Sequence, residues 1–249
     1  MLAEETPVAI SFNGSTHAVL MATPADLEDL AVGFSVTEGI VRDVDAIEAI
    51  DVVAFDLGLD VQVRVREDVA QRLAERRRSM AGPVGCGLCG LESLEAAARQ
   101  LAPVTSRLRF SEACVHGAAR SLETFQTLNR MTSSVHAAGF FRPGEGVSLA
   151  REDVGRHNAV DKLLGALFRR GLSGADGGIV VTSRVSVELI QKAAVSGAGL
   201  FAAISAPTAL AVRTAVETGI TLVAVVRETS FECFTHPDRI QPKLIAHVA

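Results

Sequence analysis

Residues 179–226 read IVVTSRVSVELIQKAAVSGAGLFAAISAPTALAVRTAVETGITLVAVV. Three short apolar runs stand out: Ile179-Val180-Val181, Leu200 to Ile204, and Ile220 to Val226. The gaps between them carry helical patterns, the first reaching about Ser196 and the second running from Thr208 to Thr218. Short apolar runs bounded by turn residues predict buried strands. Strands alternating with helices predict a parallel sheet covered on both faces, with right-handed crossovers. The chain is therefore read as α/β.

In such sheets ligands bind beyond the carboxyl ends of the strands. Three segments fall there: Thr182-Ser183-Arg184, Ser205-Ala206-Pro207-Thr208 and Arg227-Glu228-Thr229-Ser230. All carry hydroxyls and two carry an arginine, a combination that suits phosphate or a nucleotide. Helix caps and turn residues would account for the serines and threonines without a ligand.

Upstream of this core, Val135 to Arg142 and Val147 to Ala150 read as strands, Ser111 to Leu128 as a helix and Ala159 to Arg170 as another. The N-terminal third reads as a small β-rich part. Asn13-Gly14 lies between two apolar runs, Val8 to Phe12 and Thr16 to Met21, the strongest short hairpin signal. Thr23-Pro24 is expected to open a helix whose face is Leu27, Leu30, Ala31 and Phe34, with Gly39 at its end. Runs near Ile50 to Asp56 and Leu57 to Arg66 predict a second strand pair, followed by a helix around Val69 to Arg78. The expected division is 1–78 as the β-rich part, 79–103 as a cysteine loop and helix, and 104–249 as the α/β core, all in one compact unit.

The most chemically pointed segment is Gly85-Cys86-Gly87-Leu88-Cys89-Gly90. The glycines let the backbone turn tightly and approach a partner. Ser79 to Gly85 reads as a loop, and Leu91, Leu94, Ala98 and Leu101 mark a helix that starts just after Cys89. Thiols near a helix N-terminus have a stabilised thiolate. A pair spaced like this binds a metal, cycles through a disulfide, or carries sulfur as a persulfide.

Composition narrows the classes. The 249 residues carry 24 basic and 29 acidic side chains, a net charge of -5, which argues against a non-specific nucleic-acid binder. Aromatic content is 4% with neither Trp nor Tyr, so stacking platforms for single strands are scarce. Arg76-Arg77-Arg78 is the one basic cluster and reads as a solvated helix end. No apolar run approaches a membrane span, and the first residues show neither a basic n-region nor an apolar h-region, so a cytoplasmic protein is expected.

A second dense segment, Arg151-Glu152-Asp153-Val154-Gly155-Arg156-His157-Asn158-Ala159-Val160-Asp161-Lys162, places His157 with Asp161 and Asn158 with Lys162 at i,i+4. Alone, it reads equally as a charged helix start with weak local ion pairs.

Together, the cysteine pair and this segment resemble the formate dehydrogenase accessory family of sulfur carriers, FdhD. Further matching segments run along nearly the whole chain. They include Glu5-Thr6-Pro7, Thr37-Glu38-Gly39, His136-Ala137-Ala138, Gln191-Lys192-Ala193, Ser205-Ala206-Pro207 and Thr235-His236-Pro237. The resemblance implies a cytidine-deaminase-like three-layer sandwich and a homodimer. It implies transfer of sulfane sulfur from a cysteine desulfurase to a molybdenum cofactor with two pterin–guanine dinucleotide units, for a formate dehydrogenase apoenzyme. The persulfide falls on Cys86, with Cys89 as relay or releasing thiol. The cofactor-binding stretch falls on Val225, Val226, Arg227, Glu228, Thr229 and Ser230. Ser183, Arg184 and Ser205 join it from the strand-end segments above.

Zinc, dithiol redox chemistry and a cofactor-holding chaperone are the alternatives. Zinc wants four ligands, or three plus water. Only Cys114 and Cys233 remain beside the pair, and no second CxxC or His-x3-His occurs. Deaminase zinc sites pair H-x-E with a later P-C-x-x-C. Here Ala138 stands two residues after His136, and the cysteines come first. No protein-held metal is expected. A redox CxxC follows a strand in a βαβ unit, whereas this pair follows a loop. A chaperone would tolerate loss of Cys86. Cys114 and Cys233 are read as small core residues, His17 and His116 as surface or satisfied positions, and His136 as a minor site candidate.

Overall fold

The computed structural model describes residues 1–80 and 101–241, without the side chains of 76–80. The cysteine pair, and the helix expected after it as far as residue 100, lie outside the described residues.

The N-terminal hairpin forms as its turn chemistry dictates. β1 (Thr6–Phe12) and β2 (Ser15–Ala22) are antiparallel. Asn13 and Gly14 between them hold φ of 45° and 80°, the left-handed conformation that this turn needs. The Asn13 amide also reaches across the sheet, donating to Val65 O at 3.0 Å and accepting from Val65 N at 2.8 Å. β3 (Ile47–Phe55) and β4 (Gly58–Val65) complete a sheet of order β2-β1-β4-β3, in which β1 and β4 run parallel.

Helix α1 (Leu27–Thr37) packs on one face of this sheet through the expected stripe, and Leu27, Leu30, Ala31 and Phe34 are all buried. It starts later than Thr23-Pro24 predicts. Thr23 is held elsewhere: its N–H donates to Asp153 Oδ2 (3.0 Å), its hydroxyl accepts from Val154 N (3.1 Å), and its carbonyl accepts from Lys162 Nζ (2.8 Å). The chain then turns through Asp26 at φ 53° before the helix begins. Helix α2 (Glu67–Met80) follows β4 and takes in Ser79 and Met80, which composition assigned to a loop.

After β5 (Phe110–Ser111), Ser111 caps α3 (Glu112–Phe125) by accepting from Cys114 N. The single helix expected to Leu128 is two. α4 (Thr127–Thr132) is separate because Glu152 caps its start, accepting from the amides of Leu128 and Asn129, both at 2.8 Å. β6 (His136–Phe141) and β7 (Val147–Asp153) form a hairpin, and α5 (Arg156–Phe168) follows. The dense 151–162 segment is therefore strand, turn and helix rather than a charged helix start.

β8 (Gly178–Val181), α6 (Val187–Ser196), β9 (Leu200–Ala203), α7 (Ala209–Glu217) and β10 (Thr221–Ala224) realise the predicted alternation. With β11 (Glu232–Cys233) they build a sheet of order β11-β10-β9-β8-β6-β7. β8, β9 and β10 are parallel, while β6, β7 and β11 add antiparallel edges, so the sheet is mixed. β12 (Ile240–Gln241) pairs with β5. One core holds α5, α6 and α7 against Ile179, Val181 and Phe201; the other holds α3 against Val180, Leu200 and Val223. Alternation along each strand feeds both faces. Cys233 lies exposed on the edge strand and Cys114 is half-buried, so neither is the core residue expected.

α1 and α5 join the N-terminal sheet to the mixed sheet, backbone against backbone. A Cβ on Gly33 would lie 1.8 Å from Asp161 O, and one on Gly165 would lie 1.8 Å from Asp29 O. Only glycine permits this approach. The charged residues at the junction are paired. Arg151 and Arg169 hold Asp29, Lys162 holds Asp153, and Lys192 Nζ stands 3.0 Å from Asp161 and 2.8 Å from Glu38.

Candidate functional site

The carboxyl ends of β9 and β10 open into a cavity of about 550 Å³. Ile204 and Ser205 come from the end of β9, and Val226, Arg227 and Glu228 from the end of β10. α3 closes the third side with His116, Arg120 and Glu123. The two strand ends are laced together: Val226 N donates to Ala203 O at 3.1 Å and Val225 N to Ser205 O at 3.2 Å. To do this Val225 adopts φ 54°, a left-handed conformation that β-branched residues rarely take.

Arg227 is mainly a clip. Its Nη1 donates to Ile204 O (2.7 Å) and Val226 O (2.9 Å), and its backbone N–H closes a turn onto Ser230 O (2.8 Å). Its own carbonyl accepts from His116 Nδ1 at 2.9 Å, which assigns the proton to that nitrogen and leaves Nε2 free of this bond. The His116 ring tilts against Phe231. Arg120, Glu123 and Glu228 are exposed at the mouth. The site thus offers a guanidinium, an imidazole and two carboxylates around an apolar floor, in the size range of small-ligand pockets.

Four of the sequence-predicted binding residues, Ser205, Val226, Arg227 and Glu228, line this cavity. Val225 supports it from behind, packed against the core of α5–α7. Thr229 and Ser230 sit in the exposed turn beyond it. Ser183 and Arg184 are outside the cavity lining, because their loop makes internal bonds instead. The Ser183 hydroxyl donates to Arg184 O (3.0 Å), the Thr182 hydroxyl accepts from Ala137 N (3.0 Å), and Val185 bridges to Pro207. Two of the three loops therefore converge on one cavity. His116, read as a surface or satisfied position, is satisfied by Arg227 O, but sequence reasoning missed the α3 wall. Its signal was the i, i+4, i+7 spacing of His116, Arg120 and Glu123 beside the buried Val115, Ala118 and Leu122.

Cys86 and Cys89 fall outside the described residues. His157 stands at the start of α5 and His136 at the start of β6. His157 Nε2 lies 3.2 Å from Ser186 Oγ and 3.7 Å from a Glu188 carboxylate oxygen. Burial pushes both imidazoles below the usual histidine range, and the Arg156 charge adds to it. Asp161 belongs to the α1–α5 junction, accepting from Thr37 Oγ1 at 2.7 Å. Burial opposes the Lys192 charge, yet Asp161 and Glu38 hold its ammonium above the usual lysine range. Among the described residues, no three His, Cys, Asp or Glu side chains stand close enough to hold a metal ion. Nor is any described helix long and apolar enough to cross a membrane.

Residues 3–241 match the FdhD/NarQ family. The chain is 56% identical over 242 residues to the sulfur carrier protein FdhD of Agrobacterium fabrum, covering 95% of this chain and 88% of that one. It is 48% identical over 240 residues to the protein of the same name from Cupriavidus necator, covering 96% of this chain and 83% of the other. The fold is similar to the crystal structure of a protein described as a formate dehydrogenase accessory protein from Desulfotalea psychrophila. That match has a TM-score of 0.75 at 27% identity, over 96% of this chain and 90% of that chain.

Proposed function

The chain belongs to the FdhD/NarQ family, and from that premise we propose that it is a sulfur carrier serving a formate dehydrogenase. One observation carries this reading: the likeness to named sulfur carrier proteins runs through the whole chain, not through one motif.

Cys86 is the proposed carrier. Its thiolate attacks the outer sulfur of a persulfide on a cysteine desulfurase; the donor S–S bond breaks, the donor thiolate leaves, and Cys86 bears the persulfide. Release draws two electrons from Cys89, whose thiolate attacks the Cys86 sulfur to form the Cys86–Cys89 disulfide and free hydrosulfide. The recipient substrate is the molybdenum bis(molybdopterin guanine dinucleotide) cofactor of the apoenzyme.

The cavity at β9 and β10 supports a place for one guanine nucleotide unit. Arg120 and the His116 Nε2 edge suit phosphate oxygens, and Glu123 or Glu228 suits the donor edge of a guanine base. Arg227 shapes the wall rather than carrying the phosphate contact, because its guanidinium is bonded to two carbonyls. The same proposal takes in a cytidine-deaminase-like sheet, a homodimer and a cytoplasmic location.

Intact-mass spectrometry without reductant, after incubation with a cysteine desulfurase and cysteine, tests the carrier step. One added sulfur is expected, removed by reductant and absent in Cys86→Ala. Zinc bound to the pair, or a stable disulfide with neither added sulfur nor released hydrosulfide, would overturn it in favour of a metal or redox role.

A further inference from the structure

The face of the N-terminal sheet away from α1 carries an apolar groove. Two adjoining basins of about 400 Å³ and 410 Å³ share Pro7, Phe55, Leu57, Gly58 and Leu59. Side chains that a soluble protein normally buries stand open here: Leu57 is 90% exposed, Val19 62% and Phe55 60%. The floor is built, not incidental. Gly58, at φ 151°, brings β4 so close to Pro7 that a Cβ would lie 2.3 Å from Pro7 O.

The rim has one sign. Glu4, Glu5, Asp56 and Asp60 line the basins, and no lysine, arginine or histidine does. Asp60 is engaged by Ser11 and Gln62. The exposed side chains of Glu4, Glu5 and Asp56 make no hydrogen bond or ion pair among the described residues. An exposed apolar strip rimmed by like charges marks an interaction surface, and complementarity of charge sets its partner.

The groove also sits on the unit from which the cysteine segment departs. Val69 and Leu73 anchor α2 in the same core as β1 and β4, and Cys86 follows the end of that helix by six residues of sequence. The nucleotide cavity lies on the other sheet. We infer that this groove docks the sulfur-donor protein, through an apolar anchor flanked by lysines or arginines. The inference rests on the carrier reading above. In the docked pair the Cys86 thiolate takes the outer sulfur of the donor persulfide, and the donor cysteine leaves as its thiolate, so no other oxidant or reductant is needed.

The test compares two sulfur sources on the full chain: a cysteine desulfurase with cysteine, which must dock, and glutathione persulfide, which need not. Leu57→Glu and the double variant Glu5→Lys/Asp56→Lys change exposed groove residues only. Both are expected to raise the half-saturating carrier concentration for desulfurase loading about tenfold, while loading from glutathione persulfide stays at the wild-type rate. Raising salt is expected to slow wild-type docking and to leave the charge-reversed variant nearly unchanged. Equal desulfurase loading of wild type and both variants overturns the docking surface alone. Wild type that loads from neither source overturns the carrier reading and this inference with it. A fall in molar mass by light scattering in Leu57→Glu would show that a second copy covers the groove, and would also overturn it.

Discussion

Lys162 and Asp153 form an ion pair with both side chains wholly removed from solvent, and the same lysine donates to Thr23 O at 2.8 Å. The pair fastens the N-terminal sheet to the turn before α5. Removing one partner leaves a buried charge unpaired. Lys162→Met and Asp153→Asn are each expected to cost about 3–5 kcal/mol by urea unfolding. The double variant is expected to cost less than the sum, with a coupling of more than about 1 kcal/mol. Additive losses would mean that the pair does not act as a unit.

Gly33 and Gly165 let α1 and α5 touch backbone to backbone. Gly33→Ala or Gly165→Ala must separate the helices, because the obstructing atoms are carbonyl oxygens and not movable side chains. A loss of about 3 kcal/mol is expected for either. Gly117→Ala, on α3 with open space around it, is expected to change stability little or to raise it by up to about 1 kcal/mol.

His136 and His157 are held below the usual range chiefly by burial. Unfolded, each takes up a proton near pH 6.5; folded, each does so only at lower pH. Between those values the unfolded chain binds more protons, so the stability these groups contribute is complete above about pH 6.5 and is lost as pH falls through that window. Urea midpoints measured between about pH 5.5 and 7.5 are expected to fall toward acid, with a shallower slope in His136→Asn and His157→Gln. An unchanged slope in both variants would assign the loss to other groups.

Arg120 is exposed at the mouth of the cavity at β9 and β10, whereas Arg227 braces its wall. Arg120→Ala is expected to weaken guanosine diphosphate binding about tenfold, about 1.4 kcal/mol, with an unchanged melting temperature. Arg227→Ala is expected to weaken binding and also to cost about 1 kcal/mol of stability, as its carbonyl bonds are lost. Calorimetric titration and thermal melts separate the two roles.

Val225 stores strain at the strand end. Val225→Ala keeps the left-handed conformation and loses packing, while Val225→Gly relieves the conformation. The glycine variant is therefore expected to be more stable than the alanine variant by about 1 kcal/mol, the reverse of their usual order within a strand. Chemical denaturation of the two variants checks it.

The order of strands and helices from Ile179 to Ala224 was legible because local patterns set it: short apolar runs bounded by turn residues, and a helical pattern opening at Thr208. The Asn13-Gly14 hairpin was legible for the same reason. For the 151–162 segment two readings stood level in sequence, and the charged helix start fails because charges that look solvated there are not. Asp153, Asp161 and Lys162 are buried, each satisfied by a partner from the N-terminal part that no local pattern can name. The cavity was half legible. Ser205, Arg227 and Glu228 follow from the strand-end rule and Val226 from the family resemblance, while His116, Arg120 and Glu123 needed the packing of α3 across the sheet. The sequence by itself determined the α/β alternation, the hairpin and the thiol pair, since these depend on neighbours in the chain. The tertiary structure alone decided the mixed sheet, the glycine-mediated joint of α1 and α5, and which loops meet, since these depend on desolvation and close contact between residues separated in the chain, by 130 positions for Thr23 and Asp153.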